Sequence, residues 1–298
     1  MKYLASAAAS LVALKAAGFA NTVVTPFDPG VSPVEDLINA FLGTNSGLTY
    51  VAGSGSYQGI ADQGGTYNDF LLSGEGVPTL QLNDGIVLST GLADVPAANT
   101  DTSYEGQFPG TGGNANLSQL LTDNSAPSST TNDANTLSFD VTIDDPTATN
   151  AIETSFIFGT DEFPDQGVTD AFAFFVDGVN FAEFADGSLI TFVEGANNFQ
   201  FNDNTDDPYG YEMDGITPVL NLVGLFDDSL STHTIEIVIA DTSDTIFDSI
   251  VYLESLAGTF TTGGGGTTVD GPIPVPAAGL LMLPVAGFFA ARRKKRAA

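Results

Sequence analysis

Residues 234–240 read TIEIVIA, and residues 137–143 read LSFDVTI. In the first stretch Ile235, Ile237 and Ile239 fall on one face; in the second Leu137, Phe139, Val141 and Ile143 do so. A period of two sends alternate side chains to opposite faces of a pleated strand, so each stretch predicts a strand with one face in a core. Shorter runs rich in branched and aromatic residues recur at 48–52, 79–82, 85–89, 154–158, 171–176, 189–193 and 250–253, with turn residues between them. Antiparallel sheets packed face to face account for this alternation. The expected fold is all-β, a jelly-roll-like antiparallel β-sandwich.

One helix is well specified at 34–42. Ser32 is the expected N-cap and Pro33 suits the first helical position, while Glu35 completes a capping box and Asp36 favours the positive end. Val34, Leu37, Ile38, Phe41 and Leu42 recur at helical spacing, and Gly43 stops the run. This stripe predicts a helix lying on a sheet. A second short helical turn is expected at 117–121.

Charge divides the chain into three parts. The seven basic residues are Lys2, Lys15, Arg292, Arg293, Lys294, Lys295 and Arg296, while all 37 Asp and Glu lie from Asp28 to Asp270. Residues 1–20, MKYLASAAASLVALKAAGFA, have a basic start, a small-residue apolar stretch and Gly18-Phe19-Ala20. That pattern predicts a signal peptide cut by signal peptidase between Ala20 and Asn21. At the other end, residues 261–272 read as a Gly-rich flexible linker. The segment 273–298 follows with Pro274, Val275, Pro276 and Ala277, an apolar run broken by Pro284, and the basic cluster. The apolar run is shorter than the roughly 20 residues of a stable spanning helix, and the basic cluster predicts a cytoplasmic end. The order of motif, apolar run and basic cluster resembles PEP-CTERM sorting tails, and Ile273-Pro274-Val275-Pro276-Ala277 is similar to their Val-Pro-Leu-Pro-Ala variant. The resemblance implies a protein held transiently in the inner membrane of a Gram-negative bacterium. An exosortase-type sorting protease would then cut it for the cell surface or extracellular matrix.

The body between, 21–260, has the length of one large all-β domain and contains no Cys, so disulfides play no part in its stability. The chain is 43% hydrophobic, enough for a core, and the acidity does not imply disorder. Three clusters in the body resemble the choice-of-anchor L domain. They are DGIVLSTG at 84–91, FGTDEFP at 158–164 with TDAFAFF at 169–175, and YEMDGIT at 211–217 with IADTSD at 239–244 and FDSIVYLE at 247–254. The match runs from about Val34 to Ala257, and Thr169-Asp170 departs from the Asn-Asp pair more usual in that family. That family is defined by its pairing with varied surface-anchoring tails, so the resemblance implies location and fold rather than an activity.

Adjacent carboxylates without cationic partners repel one another and are raised in pKa or neutralised by an ion. Ca2+ takes six to eight oxygen ligands, which Asp, Glu and backbone carbonyls supply. Two groups are candidate Ca2+ ligands: Asp161, Glu162, Asp165 and Asp170 around one turn, and Asp241, Asp244 and Asp248 in the loop after the strongest strand. The plainer reading is solvated loop carboxylates, or Asp side chains bonded to turn backbone. Residues 203–207 resemble the start of an EF-hand loop, but Pro208 stands where that loop needs Gly, which predicts a surface loop. His233, the single His, is expected at an edge or half-buried strand position, and catalysis is not expected. Nucleic acid is excluded as a partner, because the body has no Lys or Arg to meet phosphate. The expected function is an exported surface or matrix protein, Ca2+-compatible, with a structural or adhesive role and extracellular polysaccharide as a partner. Two alternatives stand beside it. A carbohydrate-binding module would present Tyr50, Tyr57, Tyr67, Tyr104, Tyr209 and Tyr211 as an exposed platform; a glycoside hydrolase would use Asp161 and Glu162 across a cleft.

Overall fold

The computed structural model describes residues 22–269 apart from 102, 107 and 108. The signal peptide with its Ala20–Asn21 junction, and the tail with Pro274, Val275, Pro276 and Ala277, lie outside the described residues. Two antiparallel sheets form the frame, as the period-two stretches predict. In the first, Ala151–Thr160 is central. On one side it pairs with Ser249–Glu254, which continues through Gly85–Ser89 and Gly64–Asn68 to Val23–Phe27. On the other it takes Gly215–Ile216 and Leu220–Leu225. In the second sheet, His233–Thr242 lies between Ala171–Val176 and Thr131–Ile143, and Leu48–Tyr50 and Ser56–Gln58 share the far side of Thr131–Ile143.

The sheets face each other across the largest core. Phe156, Phe158, Val251 and Leu253 of one meet Leu137, Phe139, Phe172, Phe174, Ile235 and Ile237 of the other. Both outer faces are also partly covered. Ala171, Ala173 and Phe175 pack beneath Leu117 and Leu121, while Ile250 and Tyr252 lie with Phe70, Leu80 and Leu82 of the hairpin Phe70–Leu72/Leu80–Leu82. Strands buried on both faces read as unbroken apolar runs, which is why 171–176 shows little alternation.

Helix Val34–Leu42 buries Leu37, Ile38, Phe41 and Leu42, as its stripe predicts, and ends at Gly43 with φ 62°. Its start differs from expectation. The N-cap is Pro33 without a side-chain cap bond, and the Ser32 N–H instead donates to Asp28 O at 2.8 Å in the preceding turn. The expected turn at 117–121 is a longer helix, Ala115–Asp123, capped by Asn114, whose side chain accepts from Leu117 N at 2.9 Å. Within the segment expected as a linker, Gly266–Val269 forms a strand against Leu220–Val223. Among the described residues no helix is long and apolar enough to cross a membrane.

Candidate functional site

The two acidic groups read separately from sequence converge at one end of the sandwich. Ala171 pairs with Ala240, so Asp170 and Asp241 lie side by side just beyond that pair. The Thr242 hydroxyl donates to Thr169 O, joining the same two strand ends. In the facing sheet Ser249 pairs with Thr160, and the Asp161 N–H donates to Asp248 O at 3.2 Å. Asp161 and Glu162 therefore emerge next to Asp248. A register break between Ile239 and Asp241 coincides with Asp133, whose φ of 44° turns the partner strand locally. Asp133, Asp161, Glu162, Asp170, Asp241 and Asp248 are all buried, each at most 4% exposed.

Their hydrogen bonding sorts them into two kinds. Asp161 accepts from Tyr104 N at 2.7 Å and from Asp214 N at 2.9 Å, and Asp248 accepts from Gly106 N at 2.6 Å. Burial pushes Asp161 up to about 8 and Asp248 up to about 7, against the pull of these N–H donors. Glu162 and Asp170 have no partner for either oxygen, and Asp241 none for Oδ1. Burial, then neighbouring carboxylates, raises Glu162 to about 9 and Asp241 to about 11, and carries Asp170 well above the carboxylate range. Ser249 Oγ lies beside Asp170 and pulls its carboxyl down a little, though the contact falls short of ordinary hydrogen-bond geometry. A carboxylate removed from water and given no donor must hold a proton or meet a cation.

The chain supplies no such cation here. No Lys or Arg occurs between Lys15 and Arg292. His233 is committed elsewhere: its Nδ1 lies 2.8 Å from Asp177 and its ring 4.2 Å from that of Phe226. It is buried, not half-buried, on the middle strand of its sheet, eight positions and about 26 Å along the strand from Asp241. Among the described residues, no three His, Asp or Glu side chains are already drawn around one point as metal ligands.

Of the candidate ligands, Asp244 is half-buried at the rim with Oδ1 unpartnered, and Asp165 is exposed and bonded only to its neighbour Gln166 at 3.3 Å. Asp165 thus stands outside the cluster. Four carboxylates also fasten a strap over this end: Asn99 N donates to Asp207, Thr100 N and Asp101 N to Glu212, Tyr104 N to Asp161 and Gly106 N to Asp248. Sequence reading missed Asp133, Glu212, Asp214 and Gly91. Polar residues at 132–136, directly before an alternating apolar strand, were the available signal for Asp133. A Cβ on Gly91 would overlap the Asp248 carboxylate, so only a hydrogen there leaves Asp248 its seat.

The other readings find less. Tyr67, Tyr209 and Tyr211 are buried, and Tyr50 and Tyr57 pack edge-on against Phe139 and Phe27, so these tyrosines form no exposed platform for a sugar. Asp161 and Glu162 are 0% exposed and offer a polysaccharide no approach. In the EF-hand-like stretch, Asn204 is buried and turned inward, donating to Tyr211 O and Met213 O and accepting from Tyr209 N; Asp203 is bonded to Thr205. A family model described as the choice-of-anchor L domain matches residues 30–261. No curated protein and no solved structure matches the chain.

Proposed function

The chain belongs to the choice-of-anchor L domain family, which makes it a surface-associated or sorted protein, and from that premise we propose a structural or adhesive role at the cell surface or in the extracellular matrix. The observation that carries this reading is the family match over nearly the whole body. The charge partition supports it, since basic residues flank apolar stretches only at the two ends, where export and sorting machinery reads them. In this reading signal peptidase cuts after Ala20, and the tail rests in the inner membrane of a Gram-negative host. An exosortase-type protease then cuts near Pro274–Ala277. The body is stabilised by Ca2+ and is not an enzyme; extracellular polysaccharide is its partner. Mass spectrometry of the protein recovered from the host's surface fraction tests the processing. The expected peptides begin at Asn21 and end near Pro276; an intact Ala298 on surface protein overturns the sorting step.

A further inference from the structure

We propose that Glu162, Asp170 and Asp241, with Asp133 and Asp244 at the margin and the Ser249 hydroxyl between the sheets, form one buried centre for a single Ca2+ ion that ties the two sheets together. The inference rests on the Ca2+ reading above and gives that ion one address. Two sheets contribute to it. Asp170, just before Ala171–Val176, and Asp241 lie at adjacent strand ends of one, while Glu162, just past Ala151–Thr160, and Ser249 lie at adjacent strand ends of the other. Neither sheet alone brings these oxygens together.

Unpartnered polar atoms carry the argument. Glu162 Oε1 and Oε2, Asp170 Oδ1 and Oδ2, Asp241 Oδ1, Asp133 Oδ1 and Ser249 Oγ are buried without a hydrogen bond, and every one of these residues is at most 2% exposed. Buried polar groups in folded proteins nearly always find a partner, so seven orphans around one set of strand ends call for a ligand. The Ser249 hydroxyl, set beside Asp170 without an ordinary hydrogen bond, adds a neutral oxygen from the facing sheet. All donors are oxygen, with no His or Cys among them, which selects a hard cation over Zn2+ or Cu2+. They arise from separate loops and strand ends, and Ca2+ takes six to eight oxygens in flexible geometry whereas Mg2+ demands a near-ideal octahedron, which favours Ca2+.

The test is thermal unfolding of the full-length protein in Ca2+, in Mg2+ and in chelator, on the parent and on Asp170→Asn, Glu162→Gln and Asp165→Asn. The parent should gain about 5–10 °C in Tm when Ca2+ is at about a hundredfold excess over its Kd, and less in Mg2+. Asp170→Asn and Glu162→Gln should lose the Ca2+ response yet melt higher than the parent in chelator at neutral pH, because an amide is neutral without the proton that the buried acid must take up on folding. That opposite sign separates a binding role from a merely structural one. Asp165→Asn, on an exposed carboxylate, should keep the full response. A parent indifferent to Ca2+ overturns the Ca2+ reading itself. A parent that responds while both core variants respond equally leaves that reading standing and overturns this centre. Calorimetric titration of the parent guards against variants that do not fold: about one ion per chain is expected, and several weak ions per chain overturn the single centre.

Discussion

Raising the pH in the presence of chelator should destabilise this protein, the reverse of the usual behaviour of paired carboxylates. The two carboxylates with backbone donors allow the size to be worked out. Asp161 rises from an ordinary 3.8 to about 8 in the fold, chiefly through burial, with Asp214 and Glu212 facing it; Asp248 rises to about 7, with Glu105 and Asp133 facing it. For an acid raised on folding, the native state keeps a proton that the unfolded chain has released. Stability therefore falls as pH climbs from about 4 and levels off only above the folded values, about 7 and about 8. Between roughly pH 5 and roughly pH 8, at about 1.4 kcal/mol per tenfold change, Asp161 loses about 4 kcal/mol and Asp248 about 3 kcal/mol. These figures are ceilings, because a buried site relaxes and admits water. Even half the total lowers Tm by about 7–14 °C for a domain of this size. Scanning calorimetry at several pH values in chelator measures this directly, and Asp161→Asn and Asp248→Asn should each flatten the slope. A Tm that is constant or rises across that range refutes the reasoning.

Gly91→Ala should destabilise by about 1–3 kcal/mol, since the new methyl overlaps the Asp248 carboxylate and forces it from its seat; a lower denaturant midpoint with unchanged slope is the expected signature. Phe156→Ala should cost about 3–5 kcal/mol, because the ring is 0% exposed and lies 5.1 Å from Phe172 across the two sheets, whereas Phe199→Ala, at 49% exposure, should stay within about 0.5 kcal/mol. A Phe156→Ala midpoint equal to that of the parent would place the core elsewhere.

The frame of the fold was legible where one rule governed a segment. Residues 85–89, 171–176 and 234–240 lie in strands close to their expected bounds, because branched and aromatic residues there meet cores on one or both faces. Strands that gain their stability from partners were not legible. Gly64–Asn68, reading GGTYN, has almost no apolar pattern of its own and is held between Val23–Phe27 and Gly85–Ser89, with Gly65 close against the Thr25 carbonyl. Gly266–Val269 is a strand only because Leu220–Val223 offers it an edge. The cluster was half legible for the same reason. Asp161–Glu162 and Asp241–Asp244 are conspicuous as acidic runs, but their union depends on which strand ends the topology brings together, and spacing along the chain carries none of that. Asp165 shows the converse: four residues from Asp161 in sequence, it points to solvent.

Between Lys15 and Arg292 the chain has no basic residue, which changes what an interior carboxylate can do. In most proteins a buried Asp is steadied by an Arg or Lys, and removing either partner is costly. Here backbone N–H groups take that place for Asp161, Asp248 and Glu212, and in doing so fix the strap at 99–106. Both oxygens of Glu162 and Asp170, and Oδ1 of Asp241, have no such donor. Protons can fill the gap only at the expense of a stability that shrinks as pH rises, whereas a divalent ion neutralises two of these charges at once and is insensitive to pH once the carboxylates are free. If the proposed centre binds Ca2+, an environment holding millimolar Ca2+ at neutral pH would favour the folded body by filling carboxyls that otherwise need protons. The surface location expected for this family and the buried chemistry of its core are, on this argument, one requirement met from two sides.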